Sequence, residues 1–450
     1  MPGASRGNGA PQETIAVLGL GRLGLCFAVV LEQAGFKVVG MDVNGSIVDA
    51  VNERRCSSSE PGLAEGLAAT VHLTATTDMA TAVADARLIF ILVPTPNSGG
   101  RDYYNHSILA NVLFKLNALQ VRDKHVVISA TVIPGFIRGT GKYLLRDCAN
   151  TTLSYNPAFV AQGDILIGYR TGGWFRLVLV GSENDEAGDL LTQVYERIAP
   201  PDRRPHICRM SPESAEIAKL CSNCFRTTKI SFCNMVADLA DCTEGADKHE
   251  ICAALAKDES IGPIGMRPGY GYGGPCYPRD NQALASYCSR VGVDPCIPNA
   301  THAYNEFHHA QMAAAELRAG KAEYVFEDVT YKPRCAVAMI DESPKLIVAQ
   351  KLVDAGKRVV VRDRIAVIHE VMKEYGSRFT YEIQPDPSPR SGPAPRPPSP
   401  SSSAAQLSAE CAKEGQVSLY YIRVKSVAHG LRVIGRTGAL KGEGRANSGI

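Results

Sequence analysis

From Thr14 to Leu20 the chain is apolar and ends in Gly19-Leu-Gly21-Arg-Leu-Gly24, behind which apolar residues recur at helical spacing from Leu25 to Ala34. A short apolar run before a glycine turn predicts a buried strand, and the 3.6-residue recurrence after it predicts a helix. A second run, Lys37 to Met41, predicts another strand and stops at Asp42. Further strands are predicted at Leu88 to Val93, Val126 to Ser129 and Leu177 to Val180, which carries one α/β domain from residue 14 to about 205. Serine followed by proline at Ser211-Pro212 suits the start of a helix. That helix places Ala215, Lys219 and Asn223 four residues apart on one face. Arg279 to Val291 predicts another helix within a helical middle, residues 206 to 321. From residue 322 the pattern reads strand (Tyr324 to Thr330), helix (Ser343 to Ala355), strand (Arg358 to Val361) and helix (Ile365 to Tyr375), the first half of a second parallel unit. The fold class expected is α/β: two Rossmann-like parallel α/β domains joined by a long central helix, the second incomplete at 384.

Residues 385 to 450 change this picture. Eight of the sixteen residues from Pro385 to Pro400 are proline, so this stretch lacks the amides a strand needs and predicts a disordered Pro/Ser-rich tail. The tail holds nine Lys or Arg against four Asp or Glu, so it supplies the chain's net charge of +2 and leaves the rest at −3. A balance so near neutral gives no electrostatic case for nucleic acid as a partner. Residues 1 to 13 are small and polar and predict a disordered arm. The apolar stretch from Ile15 to Val30 carries Arg22 and the three glycines, so no membrane span is expected. The 14 cysteines are scattered behind no secretory leader, which predicts reduced thiols and a cytoplasmic location. Cys221 and Cys224 have CxxC spacing but no second pair or nearby histidine cluster. They read as helix-packing residues, and no metal is expected.

The strand, glycine turn, helix and strand have the order of a dinucleotide-binding unit, with the acid Asp42 about 20 residues past the glycines. Gly19 permits the tight turn, Gly21 lets the backbone approach a pyrophosphate, and Gly24 allows helix and strand to pack closely. Unpaired amides at the helix start, with Arg22 and Leu23, face the phosphates. Asp42 can accept from ribose hydroxyls and repels a 2′-phosphate, so the expected cofactor is NAD. Ligand loops follow the carboxyl ends of such strands, which draws attention to Val93-Pro94-Thr95-Pro96 and to Ala130-Thr131-Val-Ile-Pro-Gly135.

Gly269-Tyr-Gly-Tyr-Gly-Gly-Pro-Cys276-Tyr-Pro-Arg-Asp280 sets a thiol just ahead of the predicted helix. A helix N-terminus favours the thiolate, which is the nucleophile. Glycine amides nearby can approach a substrate and stabilise an oxyanion. A lysine projecting from the long helix into a closed site can stabilise an alkoxide or act as a base.

The ordered set GLGRLG at 19 to 24, Asp42-Val-Asn44, Glu60-Pro-Gly-Leu63, Val93-Pro-Thr-Pro96, Thr131-Val-Ile-Pro-Gly135, Tyr155-Asn-Pro157, Ala215-Glu-Ile-Ala-Lys219, Asn223, Gly271-Tyr-Gly-Gly-Pro-Cys276 and Asp280 resembles the UDP-glucose/GDP-mannose dehydrogenase family, and within it the UDP-glucose 6-dehydrogenases. The resemblance runs from about Thr14 to about Ile383. It implies the NAD-dependent oxidation of a UDP-sugar primary alcohol to a carboxylate. Cys276 would form a thiohemiacetal and then a thioester, with Lys219, Asn223, Asp280 and Thr131 as its acid, base and water-holding partners. It also implies cofactor contacts by Val93, Pro94, Thr95 and Thr131. Substrate contacts would come from Phe159, Val160, Gln162, Lys219, Asn223, Tyr270, Tyr272, Gly273 and Lys332, in a homodimer or larger homo-oligomer built on the helical middle.

Four positions depart from the family's habit. Ala158 stands in place of the glutamate assigned to thioester hydrolysis, and Gln162 where a glutamate is frequent. Ser260 stands where an arginine usually reaches the neighbouring subunit, and Arg279 where a lysine is usual. The first predicts slow hydrolysis and an accumulating thioester. Together with the incomplete second unit, these departures keep open a second reading: an impaired NAD-binding subunit of such an assembly, or a relative acting on another nucleotide sugar.

Overall fold

The computed structural model describes residues 13–56, 58–97, 103–173 and 176–385. The expectations of an N-terminal arm and of a disordered tail fall on residues outside these. Eleven strands are described: β1 (Thr14–Leu18), β2 (Lys37–Met41), β3 (Leu73–Thr76), β4 (Leu88–Ile91), β5 (His125–Ile128), β6 (Thr152–Tyr155), β7 (Leu177–Gly181), β8 (His206–Met210), β9 (Tyr324–Glu327), β10 (Val359–Arg364) and β11 (Thr380–Gln384).

The larger sheet has the order β3-β2-β1-β4-β5-β6-β7-β8. Its first six strands are parallel and follow the doubly wound order, with the reversal between β1 and β4. β7 joins antiparallel to β6 through the single pair Tyr155 and Gly181, and β8 runs parallel to β7. Both faces are covered, and the strands show it residue by residue. Ile15 and Val17 of β1 and Leu88 and Phe90 of β4 face one core, with Phe27, Val29 and Leu31 of the helix Arg22–Gln33. Ala16, Leu18, Ile89 and Ile91 face the other, with Leu109, Leu113 and Leu116 of the helix Ser107–Ala118. The period of two that separates the faces explains why these strands read as unbroken apolar runs.

The long helix spans Pro212–Asp241, with Ser211 capping the Ser214 amide. Its 30 residues extend about 45 Å. Against it pack the helices Lys248–Leu255, Tyr277–Arg290 and Cys296–Ala319. The smaller sheet is parallel, in the order β11-β10-β9. The helices Pro344–Asp354 and Ile365–Tyr375 supply its core, joined by Ala313 of the helix Cys296–Ala319. That shared helix ties the second α/β unit to the helical middle.

Candidate active site

The dinucleotide cradle lies where the strand order reverses. Gly19 follows β1 with φ +97°, and its amide donates to the Met41 carbonyl at 2.8 Å. A Cβ on Gly19 would stand 2.6 Å from the Leu92 carbonyl oxygen, and one on Gly24 only 1.8 Å from that of Gly19. Both positions require glycine because backbone occupies the side-chain space. Gly21 differs, since nothing lies within 4 Å of its absent Cβ. It is the N-cap of the helix Arg22–Gln33, and no side chain caps that end. Open space above uncapped amides fits a pyrophosphate. Arg22 is exposed beside it, and Leu23 is half-buried. Asp42 Oδ2 accepts from the Leu20 amide at 2.8 Å and Oδ1 from Asn44 at 3.0 Å, which leaves lone pairs for ribose hydroxyls.

Val93, Pro94 and Thr95 follow β4, and Thr131 follows β5. The Thr95 hydroxyl donates to the Thr131 carbonyl at 2.8 Å and so joins the two loops. The second loop has a further anchor that the sequence reading missed. Glu216 of the long helix is fully buried, and its carboxylate accepts from the amides of Gly135 at 2.6 Å and Ile137 at 2.9 Å. Burial raises its pKa to about 7, against the pull of those amides.

One helical turn on, Lys219 is 7% exposed. Its Nζ donates to the Ala158 carbonyl at 2.7 Å and lies 4.2 Å from the centre of the Phe159 ring. Burial lowers its pKa, partly offset by Asp280 and Cys276. Asn223 donates to Asp280 Oδ2 at 2.7 Å. The other oxygen of Asp280 accepts from Tyr104 Oη at 2.7 Å and from Arg279 Nε at 3.3 Å. Asp280 is 1% exposed, so it is a fixed anion held by three side chains. Tyr104 had no signal in the sequence, standing 176 positions from its partner. Arg279 stacks 4.9 Å from the Tyr104 ring and donates to the Thr95 carbonyl at 3.3 Å, linking Asp280 to the loop after β4.

Cys276 is the N-cap of the helix Tyr277–Arg290, with Pro278 in its first turn. Cys276 is exposed as a residue, whereas protein surrounds its thiol. That crowding, and then the Asp280 carboxylate, push its pKa up, while Arg279 and Lys219 pull it down. At rest the proton belongs on sulfur, with an amine of weakened proton affinity nearby.

The glycines before Cys276 serve packing. A Cβ on Gly271 would meet Asn305 Oδ1 at 2.2 Å, one on Gly273 the Glu342 carbonyl oxygen at 1.9 Å, and one on Gly274 the Tyr331 ring at 2.5 Å. The expectation that these amides stabilise an oxyanion is revised for two of them. The Tyr272 amide donates to Asn305 Oδ1 at 2.9 Å, and that of Gly274 to the Glu342 carbonyl at 3.4 Å. Tyr272 is buried, whereas Tyr270 stands exposed beside Lys345.

Around the cleft, Val160 packs on Gly168, and the Gln162 carbonyl accepts from the Cys335 thiol at 3.8 Å. Gln162 Oε1 is buried without a hydrogen-bond partner among the described residues. Lys332 pairs with Asp164 at 3.2 Å, which brings the second α/β unit against the first. Beneath them Glu60 accepts from the amides of Gly163 at 2.8 Å and Ile165 at 2.7 Å, so Glu60-Pro-Gly-Leu63 is a brace for this loop. Asn156 braces in the same way, donating to the Leu179 carbonyl at 2.7 Å and accepting from Tyr195 at 2.6 Å. Ser260 sits apart in an exposed turn, bonded to Asp258. Cys224 is buried, its thiol directed at the Asp280 carbonyl, while Cys221 is exposed. No group of three or more metal-ligating side chains occurs among the described residues.

Residues 13–199 match the NAD binding domain of the UDP-glucose/GDP-mannose dehydrogenase family, and residues 213–307 match its central domain. The chain is 26% identical over 389 residues to the GDP-mannose 6-dehydrogenase of Pseudomonas aeruginosa, covering 80% of this chain and 84% of that one. It is 28% identical over 371 residues to the UDP-glucose 6-dehydrogenase of Rhizobium meliloti, covering 78% and 81%. The solved structure of a UDP-glucose dehydrogenase from Pyrobaculum islandicum is similar with a TM-score of 0.75 at 27% identity, over 85% of this chain and 88% of that one.

Proposed function

Because the chain belongs to the UDP-glucose/GDP-mannose dehydrogenase family, whose members are NAD-dependent nucleotide-sugar dehydrogenases, we propose that it oxidises a nucleotide sugar, UDP-glucose first among candidates, to the hexuronate through Cys276. What carries the reading is the clustering of Lys219, Asn223, Asp280, Arg279 and the Cys276 thiol, joined to the loop after β4 through Arg279. NAD, when bound, accepts a hydride in each of two oxidations. Lys219, whose affinity for protons burial has weakened, takes up the proton of the substrate hydroxyl as the alcohol becomes an aldehyde. Cys276 sulfur then bonds to the aldehyde carbon while its proton passes to the carbonyl oxygen by way of Lys219, giving a thiohemiacetal. Asn223 and Lys219 hold the developing alkoxide. Asp280, held by Tyr104, Asn223 and Arg279, supplies negative charge beside the ammonium. Lys219, having passed its first proton to solvent, takes that of the thiohemiacetal hydroxyl in the second oxidation, which leaves a thioester on Cys276 that water hydrolyses to the carboxylate and the free thiol.

Ala158 offers only its backbone carbonyl, which accepts from Lys219, so the thioester has no carboxylate from that position to draw water onto it. Slow hydrolysis follows. The same observation supports the second reading, an impaired NAD-binding subunit. Relatives named for GDP-mannose and for UDP-glucose match almost equally well, so both sugars belong in the test. The protein is incubated with NAD and each nucleotide sugar, NADH is counted per sugar, and Cys276 is examined by mass spectrometry. Two NADH per sugar with a transient adduct supports the dehydrogenase, and no NADH with either sugar leaves the subunit reading.

A second copy belongs on the long helix in this reading. Phe225, Phe232 and Leu239 are 69%, 52% and 65% exposed and recur every seven residues as one apolar stripe. No helix among the described residues is long and apolar enough to cross a membrane. Water-soluble nucleotide sugars as substrates point to the cytoplasm.

A further inference from the structure

The helix Cys296–Ala319 passes beside the start of the glycine loop, and His308 on it is 4% exposed. Its Nδ1 lies 2.9 Å from Asp238 Oδ2 and 3.1 Å from Oδ1, and its Nε2 lies 2.7 Å from the Gly269 carbonyl oxygen. Carboxylate and carbonyl oxygens accept and never donate, and a neutral imidazole has one N–H and one lone pair. A neutral ring would therefore point a lone pair at an oxygen on one side or the other. Turning the ring over replaces both nitrogens with carbons. Only the imidazolium, a donor at both nitrogens, satisfies both contacts.

The charged and titratable surroundings agree. From the long helix only the Asp238 carboxylate bonds to the ring, and Tyr304 Oη also donates to that carboxylate at 2.6 Å. Cys242 lies near Tyr304, and Tyr270 follows the clamped carbonyl in the chain. On its own helix the neighbour is His309, fully buried and lowered to about 4 by burial, then by His308 and by Lys351 of the helix Pro344–Asp354.

We propose that His308 is a positioning residue for the cysteine loop: as an imidazolium it clamps the Gly269 carbonyl to Asp238, and on losing its proton it keeps its one N–H for the carboxylate, the stronger acceptor, and releases that carbonyl. The loop has few other holds. The Gly269 amide donates to Asn234 at 3.1 Å, and Asn305 bonds both the amide and the carbonyl of Tyr272, at 2.9 and 3.1 Å. With the His308 bond broken, the bond from the Gly269 amide to Asn234 is the one that remains at Gly269 among the described residues. The geometry of the thiol then depends on pH through a group that touches neither substrate nor cofactor. Its consequence for turnover rests on Cys276 being the nucleophile, but the clamp itself does not.

Hydrogen exchange on the full chain tests it, read as protection factors for the Gly269 and Tyr272 amides across pH. In the unsubstituted protein, protection falls about tenfold as the imidazolium is lost, the size of one charge-assisted hydrogen bond. In Asp238→Asn the new amide can donate to a neutral ring, so protection persists at high pH. In His308→Ala protection is low throughout. Cys276 alkylation by iodoacetamide should show a second pH step, beyond thiolate formation, in the unsubstituted protein alone. A flat protection profile in the unsubstituted protein overturns the clamp, as does the same step in His308→Ala, or a nitrogen NMR signal from an unprotonated His308 ring nitrogen while the loop is protected. Exchange needs no turnover, so a failure of the dehydrogenase reading and a failure of the clamp are told apart.

Discussion

Lys219 shows how the long helix takes an ordinary residue out of water. Four carbons carry its ammonium to a point where Phe159 and the Ala158 carbonyl replace water, and burial outweighs Asp280 in setting its proton affinity. Lys219→Met keeps most of that stem, so the fold should survive while NADH formation falls by about 10² to 10⁴. Equal rates in steady-state NADH assays would remove Lys219 from the chemistry. Tyr104→Phe removes one donor from an anion that has lost its water, and should cost about 1.5–3 kcal/mol in urea unfolding. Glu216 has the opposite character. Its folded-state pKa, about 7, is raised above the 4.5 it has when free, so between these values the unfolded chain releases a proton that the folded chain retains. Its contribution is fully present below about 4.5 and is lost as pH rises through 7, a change on the order of 3 kcal/mol. Glu216→Gln should flatten that slope in urea unfolding measured from pH 5 to 8. At this scale the sequence revealed chemistry but not partners. Cys276, Lys219, Asn223 and Asp280 were legible as reactive types in order, whereas Tyr104, Glu60 and Glu216 became meaningful only when distant carbonyls, amides and carboxylates met them.

The glycines decide most at the level of elements. Gly24→Ala would drive a methyl into the Gly19 carbonyl at 1.8 Å. Helix and strand must then separate, and NAD binding, followed by calorimetry, should be abolished while thermal stability drops. Gly273→Ala meets the Glu342 carbonyl at 1.9 Å, across the contact between the cysteine loop and the second α/β unit. It should slow adduct formation at Cys276, measured by mass spectrometry, without loss of NAD binding, because the cradle lies elsewhere. Several element boundaries followed the sequence. Lys37–Met41 and Ile365–Tyr375 stand where the pattern placed them, and the long helix begins at Pro212. β3, β8 and β11 went unread for a common reason, each being an edge strand, whereas the interior strand β6 went unread because Thr152 and Ser154 interrupt its apolar run. Leu73-Thr-Ala-Thr76 and Thr380-Tyr-Glu-Ile-Gln384 lie at sheet edges with few buried positions, so their alternation carries little apolar signal.

For the whole molecule, the Phe225, Phe232 and Leu239 stripe predicts the assembly. Phe225→Glu with Phe232→Glu places charge on both halves of a self-complementary face, so light scattering should give a dimer mass for the unsubstituted protein and a monomer mass for the variant. An unchanged mass would put the interface elsewhere. The two-unit α/β plan and the cofactor were readable in one dimension, because backbone sterics impose glycine at a tight turn and solvent imposes periodicity on buried strands and helices. Those constraints act over neighbouring residues, so they leave marks in sequence order. Tertiary structure alone decided that three side chains hold Asp280, that the glycine run packs against Asn305 and Glu342, and that His308 faces two acceptors. Such outcomes depend on which groups share space after desolvation, and proximity across the long helix and its neighbours has no counterpart in the spacing of residues along the chain.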